Sequence, residues 1–132
     1  MFINYSILLF SAVKVTATCS DTTDSLTNSI FSQNYPSTYN SNTKCGWQIS
    51  GPTGRQIQVR FNDFRLEPLN DVLIIHDGHS VTSVILKTYK GTTIPADVVS
   101  TANSLYIEFI SDAQVNYHGF ELQYFIKGKY IQ

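Results

Sequence analysis

Hydrophobic and polar residues alternate along three stretches of the chain: 55–61 ("RQIQVRF"), 104–110 ("SLYIEFI") and 120–126 ("FELQYFI"). In each stretch every second residue is apolar, which is the pattern of a β-strand with one buried face. Two further runs, 71–76 ("DVLIIH") and 83–89 ("SVILKTY"), are apolar almost continuously. They predict strands that are covered on both sides or lie at the centre of a sandwich. The pattern therefore indicates a chain built mainly of β-strands.

Turn-forming residues separate these runs at spacings that are typical of all-β sandwiches. They are Gly51-Pro52, Gly54, Asp77-Gly78, Gly91, Pro95 and Gly119. Asp77 is interpreted as a turn residue because it precedes a glycine at the end of an apolar run. No segment combines a period of 3.6 residues with helix caps. With 132 residues the chain suits one domain, so we predict a single all-β sandwich.

Composition and charge narrow the classes of function. Hydrophobic residues make up 42% of the chain and aromatic residues 13%, which is enough for a substantial core. The net charge is -1 and no basic patch stands out, which argues against nucleic acid as a partner. No apolar stretch approaches the about 20 residues that a spanning helix needs, so we expect no membrane span.

The N-terminal stretch "MFINYSILLFSAVKVTATCS" predicts a secretory signal peptide, residues 1–17. Residues 7–13 form a short apolar core, and Val15-Thr16-Ala17 fits the small-residue rule for signal peptidase, with the cut after Ala17. The alternative is that this stretch is a hydrophobic first strand of the mature domain. A signal peptide predicts a secreted, extracellular protein.

The two cysteines, Cys19 and Cys45, both follow the proposed cut. In an oxidising compartment such a pair predicts one disulfide, which closes a loop and stabilises the fold by about 3–4 kcal/mol. Two cysteines alone cannot build a closed zinc site, and no histidine lies close to them in sequence.

Four motifs in the same order resemble the CUB domain family. They are 31–49 ("FSQNYPSTYNSNTKCGWQI"), 57–67 ("IQVRFNDFRLE"), 71–78 ("DVLIIHDG") and 93–124 ("TIPADVVSTANSLYIEFISDAQVNYHGFELQY"). The resemblance runs without a break from Cys19 to Tyr124, and we assign residues 19–127 to the domain. It implies a jelly-roll-like antiparallel β-sandwich that is secreted and used for protein or glycan contacts rather than for chemistry.

The chain departs from the family pattern in two places. CUB domains commonly have four cysteines, whereas this chain lacks the second pair, which would fall near Asn70 and Lys90. The segment between Glu67 and Asp71 is also shorter than in many members. The shortening puts the position of Glu67 in question.

The resemblance implies a calcium site, because many CUB domains hold Ca²⁺ at one end of the sandwich. The mapped ligands are Glu67, Asp71 and Asp112, with the backbone carbonyl of Ala113, and Tyr39 is expected to hold the glutamate. Calcium takes six to eight hard oxygen ligands, and we expect weak binding of about 10⁻⁴ to 10⁻³ M for such an extracellular site. The alternative is that these carboxylates only form turns or are solvated.

The residues around this site are the predicted contact surface. In calcium-bearing CUB domains the site often accepts a Lys or Arg side chain of a partner protein. The resemblance implies that the residues around such a contact in this chain are Tyr39, Asn116, Tyr117 and His118. Tyr117 and His118 lie on a predicted exposed loop, where amphipathic aromatics serve contact surfaces. The alternative for Tyr117 is that it packs against the edge of the core.

Two other readings of function stay open beside this one. One is a calcium-independent glycan-binding protein resembling spermadhesins; the other is a non-catalytic CUB fragment of a modular extracellular protease or receptor. An enzyme is not expected, because the chain has no recognised catalytic signature. His76 and His79 flank the Asp77-Gly78 turn and are interpreted as solvent-exposed loop histidines rather than metal ligands.

Overall fold

The computed structural model describes residues 13–114 and 116–127, which form ten β-strands and no helix. None of the described residues belongs to a helix long and apolar enough to cross a membrane. The strands are β1 Lys14–Ala17, β2 Thr23–Asp24, β3 Ser29–Phe31, β4 Lys44–Ser50, β5 Gln56–Arg65, β6 Val72–Asp77, β7 Val84–Tyr89, β8 Val98–Val99, β9 Ser104–Ile110 and β10 Gly119–Lys127.

The strands form two five-stranded sheets in which each pair of neighbours is antiparallel. Sheet A has the order β1-β4-β9-β6-β7, and sheet B has the order β2-β3-β10-β5-β8. The prediction of an all-β, jelly-roll-like antiparallel sandwich is therefore confirmed.

The core lies between the two sheets and is rich in aromatic side chains. Phe120 of sheet B makes edge-to-face contacts with Trp47 and Phe109 of sheet A, with ring centroids 5.7 and 5.8 Å apart. All three side chains are fully buried. Such pairs each add about 0.5–1.5 kcal/mol beyond the area that they bury.

A β-bulge in β5 changes the strict alternation that the sequence shows there. Leu122 pairs with Phe61 and Glu121 pairs with Asp63, which leaves Asn62 as the extra residue. The extra residue lets both Phe61 and Phe64 point into the core, where their rings meet at 5.7 Å. Arg65 and Glu67 then follow at the end of the sandwich that carries the candidate site.

The prediction that residues 83–89 form a covered strand is wrong. Most of β7 is exposed, with Val84 at 72% and Ile85 at 55% of their accessible area. The reason is topological: β7 is the edge strand of sheet A and pairs only with β6. The neighbouring run 71–76 does lie inside the sheet, and its Leu73 and Ile75 are fully buried.

The N-terminal end of the described chain is tied to sheet A in two ways. Cys19 and Cys45 form the predicted disulfide, with their Cα atoms 5.5 Å apart. Residues 14–17 pair with β4 as the edge strand β1. Cleavage after Ala17 would remove this strand from the mature protein. The signal peptide itself stays a prediction, because residues 1–12 lie outside the described residues.

Candidate functional site: a carboxylate cluster at one end of the sandwich

Three loops meet at one end of the sandwich because their strands are paired in register. Ile110, the last residue of β9, lies opposite both Lys44 at the start of β4 and Val72 at the start of β6. The β3–β4, β5–β6 and β9–β10 connections therefore emerge side by side. They carry Tyr39, the Glu67–Asp71 pair and Asp112 respectively.

The carboxylates of Glu67, Asp71 and Asp112 form one cluster. Each offers an oxygen atom, and these three atoms all lie within 4.8 Å of one another. Asp71 is fully buried and Glu67 is 7% exposed, whereas Asp112 is half-buried. The short segment between Glu67 and Asp71 thus keeps both carboxylates in the same cluster.

Backbone N–H groups fix the orientation of each carboxylate. Glu67 accepts hydrogen bonds from the N–H groups of Leu69 and Asn70, both at 2.8 Å, so its own side chain shapes the short β5–β6 turn. Asp71 Oδ1 accepts a hydrogen bond from the N–H of Asp112 at 2.9 Å. Asp112 Oδ1 accepts one from Gln114 at 3.0 Å. The cluster is therefore arranged before any ligand arrives.

Tyr39 supports the cluster from below. Its hydroxyl donates to Asp71 Oδ2 at 2.6 Å and accepts a hydrogen bond from the backbone N–H of Glu67 at 2.9 Å. The tyrosine thus touches the backbone of Glu67, and the carboxylate that it contacts belongs to Asp71. Its ring is 1% exposed and packs edge-to-face on Phe109 at 4.9 Å. Burial and the bond to Asp71 raise the pKa of Tyr39 far above its ordinary value, so the hydroxyl remains protonated.

Asp71 is the carboxylate of the cluster whose ionised form is disfavoured by its surroundings. Burial raises the pKa of Asp71, and the nearby carboxylates of Asp112 and Glu67 raise it further. The hydrogen bonds from Tyr39 and from the N–H of Asp112 oppose these effects. A cation placed among the three carboxylates relieves the repulsion that the protein alone cannot remove.

The donor set fits a hard divalent cation. The three side chains offer only carboxylate oxygens, which are the ligands that Ca²⁺ prefers. Ala113, whose carbonyl is a further predicted ligand, lies exposed immediately after Asp112. The role of each residue toward a metal remains a prediction.

Three of the four predicted contact residues lie on the loop that follows Asp112; the fourth, Tyr39, lies on the β3–β4 connection and is only 1% exposed. Asn116 donates to Ser41 Oγ at 2.9 Å, and the carbonyl of Tyr117 accepts a hydrogen bond from the N–H of Tyr39 at 3.2 Å. Tyr117 packs partly against the core, as the alternative for that residue states. His118 is exposed, with Nδ1 2.8 Å from the carbonyl oxygen of Pro36.

Sequence reasoning missed Ser111, which joins two of these loops. Its hydroxyl donates to the carbonyl of Asn40 at 2.7 Å and accepts a hydrogen bond from the N–H of Thr43 at 3.0 Å. Ser111 is 5% exposed. The Ser-Asp pair at 111–112 was visible in the sequence, but only the topology shows that its serine reaches the β3–β4 loop.

Asp77 and His76, which the sequence analysis also interpreted, lie outside the cluster. Asp77 accepts hydrogen bonds from the N–H and the hydroxyl of Thr101, at 3.0 and 2.7 Å, at a distance from the cluster along β6. The interpretation of His76 as a solvent-exposed loop histidine is wrong. It is 3% exposed, because it lies within β6 between β9 and β7.

Comparisons with known proteins agree with the fold and with the sequence motifs. The family model for the CUB domain matches residues 19–124. Bone morphogenetic protein 1 of Xenopus laevis is 38% identical over 100 residues, which are 73% of this chain and 14% of that protein. The chain therefore spans a small part of the length of this relative.

Two solved structures have the same fold. The CUB1-EGF-CUB2 region of human MASP-1/3 superposes with a TM-score of 0.67 at 26% identity, covering 75% of this chain and 41% of that one. The MASP-1 CUB2 domain bound to Ca²⁺ has a TM-score of 0.65 at 24% identity, covering 73% and 88% of the two chains.

Proposed function

Because the chain belongs to the CUB domain family, whose members are interaction modules of extracellular proteins, we propose that it is a secreted, calcium-assisted binding module. In this proposal Glu67, Asp71 and Asp112 hold Ca²⁺, and the ordered loops accept a Lys or Arg side chain of an extracellular partner. The observation that carries the proposal is the convergence of the three carboxylate oxygens within 4.8 Å.

The residues of the proposed site have different roles in holding the ion. Asp71 is buried and is held by Tyr39 and by the N–H of Asp112, so it forms the fixed floor of the site. Glu67 is fixed by its own turn. A bound Ca²⁺ would neutralise the repulsion among the carboxylates and tie the three loops together. The solved MASP-1 domain binds Ca²⁺, and in this chain the three clustered carboxylate oxygens support the same role.

The exposure and charge of the cluster indicate which side chain of a partner it can accept. Asp112 is the half-buried member of the cluster, so it is the carboxylate that an incoming ammonium or guanidinium group can reach. Asn116, Tyr117 and His118 lie on the same connection. A charge-assisted hydrogen bond to an ordered carboxylate is roughly twice as strong as a neutral one, which suits a Lys or Arg of the partner.

Calorimetric titration of Ca²⁺ into the secreted protein tests the proposal. We expect one site with a Kd of about 10⁻⁴ to 10⁻³ M, and loss of the binding heat in Asp112→Asn and Glu67→Gln. Asp77→Asn is the matched control, because it removes a carboxylate that contacts Thr101 outside the cluster. No heat in the wild type, or equal heat in Asp112→Asn, contradicts the proposal.

A specific surface supports the glycan-binding alternative. The outer face of sheet B carries partly exposed aromatic side chains: Phe31 stacks on Tyr35 at 5.9 Å, and Arg60 lies over Phe125 at 5.4 Å. Partly exposed aromatic side chains with polar neighbours suit contacts with sugar rings. A glycan array read with and without chelator separates the two functions: binding that persists in chelator and is lost in Tyr35→Ala favours the glycan-binding alternative.

A further inference from the structure

A buried histidine–glutamate pair lies on sheet A, outside the carboxylate cluster. His76 on β6 is 3% exposed and Glu108 on β9 is 7% exposed. His76 Nε2 lies 3.2 Å from Glu108 Oε1. The other ring nitrogen, Nδ1, lies 3.0 Å from the backbone carbonyl oxygen of Ser83. Ser83 ends the connection between β6 and β7, so the ring bridges the centre of the sheet and the turn end of that hairpin.

Both ring nitrogens of His76 therefore face hydrogen-bond acceptors, and this determines how many protons His76 and Glu108 hold together. A backbone carbonyl can only accept, so Nδ1 must carry a hydrogen to make its bond. An ionised carboxylate can also only accept, so the contact at Nε2 needs a second hydrogen. That hydrogen resides either on Nε2, opposite an ionised Glu108, or on Glu108, opposite a neutral ring. In either arrangement the pair holds one proton more than a neutral histidine beside an ionised glutamate.

The groups around the pair do not replace this proton. Lys44 on β4 approaches Glu108 Oε2 only at 3.9 Å and is largely exposed. Tyr106 on β9 lies with its ring 6.0 Å from the His76 ring, and burial, with Glu108 nearby, raises the pKa of Tyr106. From the β6–β7 turn, His79 contacts Gln48 at 3.4 Å.

The charged neighbours of His76 on the two strands of the hairpin, Asp77 and Lys87, make no hydrogen bond or ion pair with its ring, and Lys87 pairs with Ile75. Asp77, the next residue of β6, bonds instead to Thr101. On β7 the residue opposite His76 is the apolar Ile85. Glu108 is therefore the one charged group in the described part of the chain that makes a direct contact with the His76 ring.

We propose that this shared proton is a lock on the β6–β7 hairpin. With the proton in place, the ring holds the carbonyl of Ser83 and the carboxylate of Glu108 at once. When the proton leaves, the ring has one hydrogen for two acceptors and keeps the stronger, charge-assisted bond to Glu108, so the lone pair of Nδ1 faces the carbonyl of Ser83 and that contact is lost. The hairpin then opens more readily at its turn end.

The lock controls the most apolar exposed part of the sheet edge. Val81 is 50% exposed, Val84 is 72% exposed and Ile85 is 55% exposed, and all three lie at or beside the tip of this hairpin. A bulge between Ile75 and His76 already interrupts the pairing of β6 with β7. The contact between His76 and Ser83 is therefore a side-chain tie at the end of the hairpin that lies beyond this bulge.

The sign of the pH dependence follows from the proton count. The closed hairpin binds one proton more than the opened one, so closing is favoured at low pH and is lost as the pH rises. Because opening releases at most one proton, the opening equilibrium constant rises by at most about tenfold per pH unit.

Hydrogen exchange of the β7 amides between pH 5.5 and 8.5 tests the lock, after correction for the base-catalysed intrinsic rate. In the wild type we expect protection of β7 to fall with rising pH, while the amides of β9 serve as the internal reference. Glu108→Gln is the decisive variant: its amide donates to Nε2 of a neutral ring, so the contact survives without the extra proton. The pH dependence of β7 protection is then lost.

Two further measurements keep the test sharp. His79→Gln removes a histidine of the same turn without touching the pair, and it must keep the wild-type pH dependence. The nitrogen-15 chemical shifts of the His76 ring follow its protonation directly in the unaltered protein, and they must change over the same pH range as β7 protection. Protection of β7 that does not depend on pH in the wild type, or that changes equally in Glu108→Gln, overturns the proposal.

Discussion

Replacing Tyr39 by phenylalanine isolates the group that organises the carboxylate cluster. The substitution keeps the buried ring and its contact with Phe109 at 4.9 Å. It removes only the hydroxyl, which donates to Asp71 at 2.6 Å and accepts from the N–H of Glu67 at 2.9 Å. The change therefore tests two hydrogen bonds without creating a large cavity.

The magnitude follows from the two bonds. A hydrogen bond to a charged group contributes about 1.5–3 kcal/mol, and leaving a buried N–H unsatisfied costs about 1–3 kcal/mol. Tyr39 is 1% exposed, so both groups that lose their partner lie away from bulk water. Because the two losses share one atom and are not additive, we expect Tyr39→Phe to lower the free energy of unfolding by about 3 kcal/mol.

Urea denaturation in chelator measures this loss, with the m-value checked for two-state behaviour. Tyr124→Phe is the matched control, since Tyr124 is 5% exposed and its hydroxyl makes no hydrogen bond within residues 13–114 and 116–127. A cost for Tyr39→Phe below about 1 kcal/mol, and equal to that of Tyr124→Phe, refutes the reasoning. It would mean that the carboxylates hold their positions without the tyrosine.

Three further outcomes are expected from the same fold. Hydrogen bonds from Arg60 and Gln58 lower the pKa of Asp97, so the stability that Asp97 adds is present at neutral pH and is lost as the pH falls through that lowered pKa. In urea denaturation, the difference in stability between wild type and Asp97→Asn should therefore vanish at low pH, and it should shrink in high salt. Replacing both Cys19 and Cys45 by serine should lower the free energy of unfolding by about 3–4 kcal/mol, and no change on reduction would contradict the role of the disulfide. Phe109→Ala should cost about 3–5 kcal/mol and also weaken Ca²⁺ binding, because Tyr39 packs on that ring.

Much of the fold was readable from local pattern, and the exceptions have topological causes. The alternation around Ile57 and Val59 predicts an inward face, because every second side chain of a strand shares a face. The run 83–89 misled for the opposite reason: an apolar strand at the edge of a sheet has the same local sequence as one at its centre. Burial there depends on which strands are neighbours, and only long-range pairing decides that.

The site divides in the same way. Family motifs singled out Glu67, Asp71 and Asp112, which lie in different loops and have no local pattern that links them. The contacts of Ser111 with Asn40 and Thr43, and the burial of His76, required the register of strands far apart in sequence. Side-chain bonds across such strands cannot be read from neighbouring residues.

A crystal structure of the secreted protein grown in calcium chloride tests the central claim most directly. The account predicts one ion bound by carboxylate oxygens of Glu67, Asp71 and Asp112 at about 2.3–2.6 Å, with Tyr39 still bonded to Asp71. An electron-density map that shows no ion at that position, with the three carboxylates hydrogen-bonded only to protein and water, would contradict the account.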